Sequence, residues 1–174
     1  LKYFIGVEPM AFDAFLKIDG IPGECTDDKH ADWFEILSYS HGVAQLASGS
    51  VSSGGSRSAE RCDHQDFSIV KTLDKSSPKL ALACCNGQHF PTVTFELCRA
   101  GGDKQKYMEY KMEDVIIASA RPGGSSQGGD ALPLEEVSFS YGKLTWTYTE
   151  TDHKTGKPKG DISAFWDLHT NKGG

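Results

Sequence analysis

Ser126 sits in Gly124-Ser125-Ser126-Gln127-Gly128, which has the G-x-S-x-G form of a serine-hydrolase nucleophile elbow. Such an elbow needs a buried strand before the turn and a helix after it, because that geometry lifts the hydroxyl toward a base. Here the match lies in a Gly/Ser-rich stretch followed by Pro133 and no helical pattern, so it is read as compositional. Thiols and imidazoles are the next candidates. The cysteines are Cys25, Cys62, Cys84, Cys85 and Cys98; the histidines are His30, His41, His64, His89, His153 and His169. Cys85 with His89, joined by Cys62 and His64, would supply metal-ligand types. No CxxC pair or HExxH spacing supports such a site, and no metal is assigned. Cys84 and Cys85 read instead as small buried hydrophobes on a helix. Asp63-His64-Gln65-Asp66 contains acid–base groups, but the simpler reading is the polar side of a strand or a contact between subunits. With no P-loop, GxGxxG or EF-hand spacing either, no catalytic residue and no cofactor is assigned.

The elements that would have to position any site are strands. Phe12, Ala14, Leu16 and Ile18 alternate with Asp13 and Lys17, a half-buried strand over Ala11–Ile18 that ends at Asp19-Gly20-Ile21-Pro22-Gly23. Cys25–Asp32 is polar and reads as a loop. Trp33–Ser40 is an aromatic-rich strand, and a weak one covers Val43–Ala47. The segment Ser48 to Ser58 holds six serines and three glycines in eleven residues. It cannot supply a core and is expected to be a long, mobile loop. Ala59–Leu73 reads as a long strand. Ser77 as cap and Pro78 at the first helical position open one helix, which Gly87 ends; Leu80 and Cys84 share the face that packs on a sheet.

Beyond the helix, Thr92–Cys98 turns Val93, Phe95 and Leu97 inward. A hairpin turn at Gly101-Gly102-Asp103-Lys104 leads into a long strand over Lys106–Ala120. Arg121–Pro133 is a second Gly/Ser loop. Glu135–Thr149 changes phase: Val137, Phe139 and Tyr141 are odd, Leu144, Trp146 and Tyr148 even. The switch at Gly142 predicts a bulge or sharp bend. Thr145, Thr147 and Thr149 take the wetter face. Asp152–Gly160 is a basic turn, and Asp161–Leu168 a final strand with Ile162, Ala164, Trp166 and Leu168 inward. Seven or eight strands and one short helix predict a mainly β fold: an antiparallel β-barrel of two packed sheets, one flanking α-helix and an extended loop.

Composition narrows the function classes. The 174 residues suit one domain, placed at residues 10–174, with Leu1–Pro9 as an N-terminal extension or a remnant of cloning. A net charge of −6 argues against nucleic acid and against anionic lipid. No apolar run approaches the ~20 residues of a membrane span, and no signal-peptide pattern is visible. An odd, irregularly spaced set of five cysteines reads as thiols of a reducing compartment.

Phe12-Asp13-Ala14-Phe15-Leu16-Lys17-Ile18-Asp19-Gly20-Ile21-Pro22-Gly23-Glu24 resembles the opening strand of the haemolysin-coregulated protein (Hcp) family of type VI secretion tube proteins. Asp32-Trp33 and Ser38-Tyr39-Ser40-His41-Gly42 resemble the next segment of that family. Ala59-Glu60-Arg61-Cys62-Asp63-His64-Gln65-Asp66-Phe67, the helix start Leu73-Asp74-Lys75-Ser76-Ser77-Pro78-Lys79-Leu80, and Glu136-Val137-Ser138-Phe139-Ser140-Tyr141-Gly142-Lys143 with Trp146-Thr147-Tyr148 resemble further family segments in the same order. The resemblance runs from about Met10 to Lys172.

It implies a non-enzymatic subunit of the type VI secretion inner tube. Six copies would close into a ring, and rings would stack under a spike protein inside a contractile sheath. The tube would be expelled by sheath contraction, with small effector proteins in its lumen. It implies a stay in the bacterial cytoplasm before firing, then secretion without a signal peptide. Ser48, Gly49, Ser50, Val51, Ser52, Ser53, Gly54, Gly55, Ser56 and Arg57 correspond to the family's extended, ring-stacking loop. Glu60, Arg61, Asp63 and His64 are candidate subunit contacts. The competing reading is a soluble β-sandwich that binds a ligand through its Gly/Ser loops.

Overall fold

The structure, a computed structural model, describes residues 12–45, 47–48, 58–59, 61–101, 104–127, 132–152 and 155–174. In chain order the elements are β1 (Phe12–Ile18), β2 (Phe34–Ile36), β3 (Ser38–Ser40), β4 (Val43–Ala44), β5 (Ala47–Ser48), β6 (Ser58–Ala59), β7 (Asp63–His64) and β8 (Phe67–Thr72). After these come α1 (Ser77–Asn86), β9 (His89–Arg99), β10 (Lys106–Gly123), β11 (Leu134–Thr151), β12 (Pro158–Asp167) and β13 (Lys172–Gly173). The mainly β class with a single short helix is as the alternation predicts. Among the described residues no helix is long and apolar enough to cross a membrane.

All pairing is antiparallel, and the main sheet runs β13-β12-β11-β10-β9-β1-β2. The first half of β11 also pairs with β8, and β8 pairs with β3. Trp33–Ser40, expected as one strand, breaks at Leu37: β2 lies on β1 and β3 on β8. Leu37 donates its amide to the Val70 carbonyl at 2.8 Å. The wall therefore comes round through chain continuity at Leu37, and an unbroken ladder does not close it. The expected Ala59–Leu73 strand is likewise divided into β6, β7 and β8, while β10 runs past Ala120 to Gly123.

Inside lie Leu16, Phe34, Ile36, Phe67, Ile69, Phe95, Met112, Phe139 and Leu144, all close to fully buried. Burying each such side chain stabilises by about 1.5–3 kcal/mol. Phe67 packs on Phe95 at 5.0 Å and on Tyr110 at 5.3 Å between ring centroids, and Tyr39 caps Phe95 at 4.7 Å. Three residues expected to point inward do not. Phe12 is exposed at the sheet margin, and Ile162 is 69% exposed. Ala164 is exposed too.

The helix stands on β10 with Leu80 and Ala83 buried. Cys84 is only partly buried and Cys85 is exposed, so the two are not the core hydrophobes expected. The N-cap is Ser76 rather than Ser77. Asp74 Oδ1 accepts from the Ser76 amide at 2.8 Å, while Ser77 Oγ accepts from the Asp74 amide and donates to Glu135 Oε2 at 2.8 Å. Gly87 closes the helix in the left-handed region, φ +65°. Beside the cap, Lys71 Nζ is buried between Asp74 Oδ1 at 2.9 Å and Glu135 Oε2 at 3.1 Å. This network ties β8, the helix start and β11 together.

The phase change at Gly142 is present. Asp114 lies opposite it in β10 with φ +52°, a conformation aspartate tolerates better than most residues. A Cβ on Gly142 would collide with the His169 ring, which rests there with Nε2 2.9 Å from Asp114 Oδ2.

Candidate functional site

The chain leaves the barrel after β3 and returns at β7. Where it leaves and returns, Val43 pairs with His64 and Ala44 with Asp63, so β4 and β7 form a short ribbon. Further out, Ala47 pairs with Ala59 and Ser48 with Ser58. The excursion is therefore a two-stranded arm at its base. Of the expected ring-stacking loop, Ser48 is in this ribbon; Gly49 to Arg57, and Glu60, lie outside the described residues, as do Leu1–Pro9. Arg61 and Asp63 are exposed, and His64 is half-buried.

The base of the arm is pinned by one hydroxyl. Tyr141 Oη lies 2.6 Å from His41 Nε2, 3.4 Å from His64 Nδ1 and 3.2 Å from the Gln65 carbonyl. The Gln65 amide donates to the Gly42 carbonyl at 3.0 Å, and Gly42 is bare where a Cβ would press on the Gln65 side chain. His41 stacks on Phe67, and His64 stacks on Trp166. Burial lowers the pKa of His41, helped by the neighbouring His64. Burial also lowers that of His64, against the opposing pull of Asp63. Burial, with Asp66 nearby, pushes the Tyr141 phenol well above its ordinary value. His64 is thus a packed, neutral-leaning ring at the root of the arm. The adjacency of Ser-His-Gly and Asp-His-Gln is visible in the sequence; their meeting on a tyrosine a hundred residues from His41 is not.

A second surface lies at the far end of the β11–β12 hairpin. Tyr148 faces Ile162 directly across the ladder, and the two are 44% and 69% exposed. Met108 of β10 extends the same row. On the other face, expected to be the wetter one, Thr145, Thr147 and Thr149 are half-buried and less open than Tyr148; Thr147 Oγ1 is 3.1 Å from Ser163 Oγ, and Thr149 Oγ1 donates to Asp161 at 2.6 Å. The outer edge of β12 is covered by β13 at Trp166 and Asp167 and by Gly174, which exchanges backbone hydrogen bonds with Phe165. An edge strand with exposed apolar side chains is a template for association.

The thiols, imidazoles and hydroxyl weighed from the sequence do not converge on one site. His89 Nδ1 bonds Asp114 at 3.1 Å, and among the described residues Cys62, His64, Cys85 and His89 do not gather into a group that could hold a metal. Ser126 lines a groove of about 700 Å3 with Leu73, Pro122, Leu132 and Leu134. Among the described residues no imidazole or carboxylate lines it. The His/Cys/Glu cluster that does form, His30 with Glu96 and Cys98, has no signature in the sequence spacing.

Residues 15–148 match the family described as "Type VI secretion system effector, Hcp". The chain is 33% identical over 163 residues to Protein hcp1 of Pseudomonas aeruginosa, covering 93% of this chain and 98% of that one. It is also similar to the solved "Structure of a type six secretion system protein", with TM-score 0.87, 35% identity, and 94% and 100% of the two chains covered. For the crystal structure of Hcp1 from Salmonella typhimurium the values are 0.75, 30%, and 94% and 99%. With the family pattern running from the opening strand through the long hairpin, the chain belongs to the Hcp family of the type VI secretion system.

Proposed function

We propose that the chain is the subunit of a type VI secretion inner tube. Six copies close into a ring, rings stack beneath a spike protein, and contraction of a surrounding sheath expels the stack. The subunit waits in the bacterial cytoplasm and leaves the cell with the tube. Small effector proteins travel in the lumen, and no cofactor takes part. The domain doing this work is residues 10–174, with 1–9 outside it.

The observation that carries the reading is the exposed edge of β12, with Tyr148 and Ile162 on one face and no strand alongside positions 158–164 among the described residues. A closed ring needs a heterologous surface of this kind, repeated head to tail. The arm supports the second axis of assembly. It is paired as a ribbon at Val43–Ala44 with Asp63–His64 and at Ala47–Ser48 with Ser58–Ala59, and the serine- and glycine-rich sequence between, Gly49 to Arg57, is our candidate for the contact with a neighbouring ring. Arg57, Glu60, Arg61, Asp63 and His64 are its candidate contacts.

Light scattering after size exclusion, with negative-stain microscopy, tests the reading. A hexamer imaged as a ring is expected. A monomer at every concentration favours a ligand-binding module and overturns the tube. Deleting 48–57 should leave a folded ring that cannot stack; normal tube growth by that variant removes the arm from the proposal.

A further inference from the structure

The face of β9 turned away from the core carries Thr94, Glu96 and Cys98. The segment between Gly23 and Trp33 folds over it, held by Gly23 N–H to the Asp32 carbonyl at 2.7 Å and Cys25 N–H to the Trp33 carbonyl at 3.1 Å. This places His30, only 3% exposed, flat on Phe15 with ring centroids 4.0 Å apart, and edge-on to Trp33. His30 Nδ1 is 2.8 Å from Asp27 Oδ2. Its Nε2 is 2.9 Å from Glu96 Oε2 and 4.0 Å from the sulfur of the fully buried Cys98. The three donor atoms of His30, Glu96 and Cys98 all lie within 4.8 Å of one another.

That geometry has an electrostatic consequence. With Nδ1–H donating to Asp27, the other ring nitrogen and the Glu96 oxygen are two electron-rich atoms in contact. A proton or a cation must stand between them. The carboxylates are arranged to leave one oxygen each for the histidine: Lys104 takes Asp27 Oδ1 at 2.6 Å, and Lys106 takes Glu96 Oε1 at 3.4 Å. An aspartate that orients the far side of a histidine is the usual support of a ligating imidazole. Donors around a tetrahedral zinc ion lie about 3.3–3.8 Å apart, between the two distances seen here. The cluster opens on a cleft of about 780 Å3 that also holds Trp33, Gln105 and Lys157. Gln105 Nε2 is buried there with no hydrogen-bond partner among the described residues.

We propose that His30 Nε2, Glu96 Oε2 and Cys98 Sγ bind one zinc-class divalent ion, oriented by Asp27, with water from the cleft as the fourth ligand. An imidazole, a carboxylate and a thiolate make a borderline-soft set that suits Zn2+ and rejects Mg2+ and Ca2+. The ion would clasp the 24–33 segment to β9, and binding would stabilise the folded chain by mass action. This proposal does not depend on the tube reading.

The test uses the untagged full chain, stripped with chelator and titrated with Co2+ and then Zn2+. One Co2+ per chain with a thiolate-to-cobalt charge-transfer band is expected, bleached by Zn2+, together with a rise in melting temperature. Cys98→Ser should abolish the band. Should that variant misfold, Glu96→Gln keeps the His30 hydrogen bond and should weaken binding about tenfold or more while retaining the band at saturation. Asp27→Asn should weaken binding by about 10–100-fold. Cys85→Ser, on the exposed face of the helix, should change nothing. Wild type that takes up no metal, or a band that survives in Cys98→Ser or vanishes in Cys85→Ser, overturns the site.

Discussion

Tyr141 and His41 are a hundred positions apart in the chain, and the tyrosine hydroxyl lies 2.6 Å from His41 Nε2. That contact, with His64 and Gln65 on the same oxygen, fastens the root of the arm to β11. Tyr141→Phe keeps the ring but leaves His41 and the Gln65 carbonyl without it. A loss of about 1–3 kcal/mol is expected, as for other partly buried polar groups left unpaired. Urea unfolding should show a lower midpoint at unchanged slope; an unchanged midpoint would mean that water replaces the phenol at no cost.

The same cluster sets a pH dependence. His41 faces Phe67, Tyr110, Tyr141 and Trp146, while His64 faces Tyr141 and Trp166 beside Asp63. Both imidazoles have folded-state pKa values below the ordinary 6.5. The unfolded chain therefore binds more protons than the folded one as pH falls below 6.5, and stability falls with it. Above that value these two groups contribute no slope. Denaturation midpoints measured from about pH 8 down to about pH 5 should be flat and then decline, and His41→Gln should shrink the decline. A wild-type profile that rises on acidification would contradict the assignment.

Lys71 and Glu135 are almost fully buried, and they hold each other with Asp74. Lys71→Met removes the ammonium from that network and leaves two carboxylates facing each other in the interior. The expected loss is about 3–5 kcal/mol. Combining it with Glu135→Leu should return part of that loss, since a well-packed apolar pair often matches a buried ion pair. Chemical denaturation of the single and double variants distinguishes these outcomes; a double variant worse than the sum would show that shape, rather than charge, governs the position.

Ile162 is 69% exposed and lies directly across the ladder from Tyr148. Ile162→Glu should leave the circular dichroism and monomer stability within about 0.5 kcal/mol, as exposed substitutions do. If β12 is the ring contact, the same change should shift the light-scattering mass toward the monomer. A full hexamer from this variant would place the contact elsewhere.

Each chain carries a net charge of −6. Stacked rings of such subunits repel, and added salt screens the repulsion within a Debye length of about 10 Å at 0.1 M. Sedimentation should find isolated rings in dilute low-salt buffer and more stacked material as salt or protein concentration rises. More stacking at low salt would point to opposite-charge contacts dominating the ring faces.

Strand periodicity made most of the barrel legible. Val93, Phe95 and Leu97 face the core as their spacing requires, and Gly142 marks the place where β11 changes phase. Pro78 and Gly87 bracket the helix because ring and left-handed geometry act locally. Less of the site was legible. Alternation in Ile162, Ala164 and Trp166 reports an apolar face, yet it carries no information about whether the chain's own layers cover it. The burial of Lys71 has no mark in the sequence, because a lone lysine carries no signature of the carboxylates that meet it from β11 and the helix cap. His30 was hidden for a similar reason: its loop is polar, and its burial comes from contact with β1 and β9. One signal was present. Phe15 interrupts the polar side of β1, and Cys98 sits on the polar side of β9, so a second small apolar face had to be covered by something.

The two strands that meet at Gly142 and Asp114 are each eighteen residues long, about 60 Å at 3.3 Å per residue. Their hydrogen bonds run across the strand direction. A pull along the hairpin therefore loads many bonds together in shear, whereas a pull across it would open them one after another. Asp114 turns left-handed while the register with β11 continues on either side of it, and the register shifts further along, between Ile117 and Ser119. The hairpin is thus built to resist a pull along its length better than a pull across it.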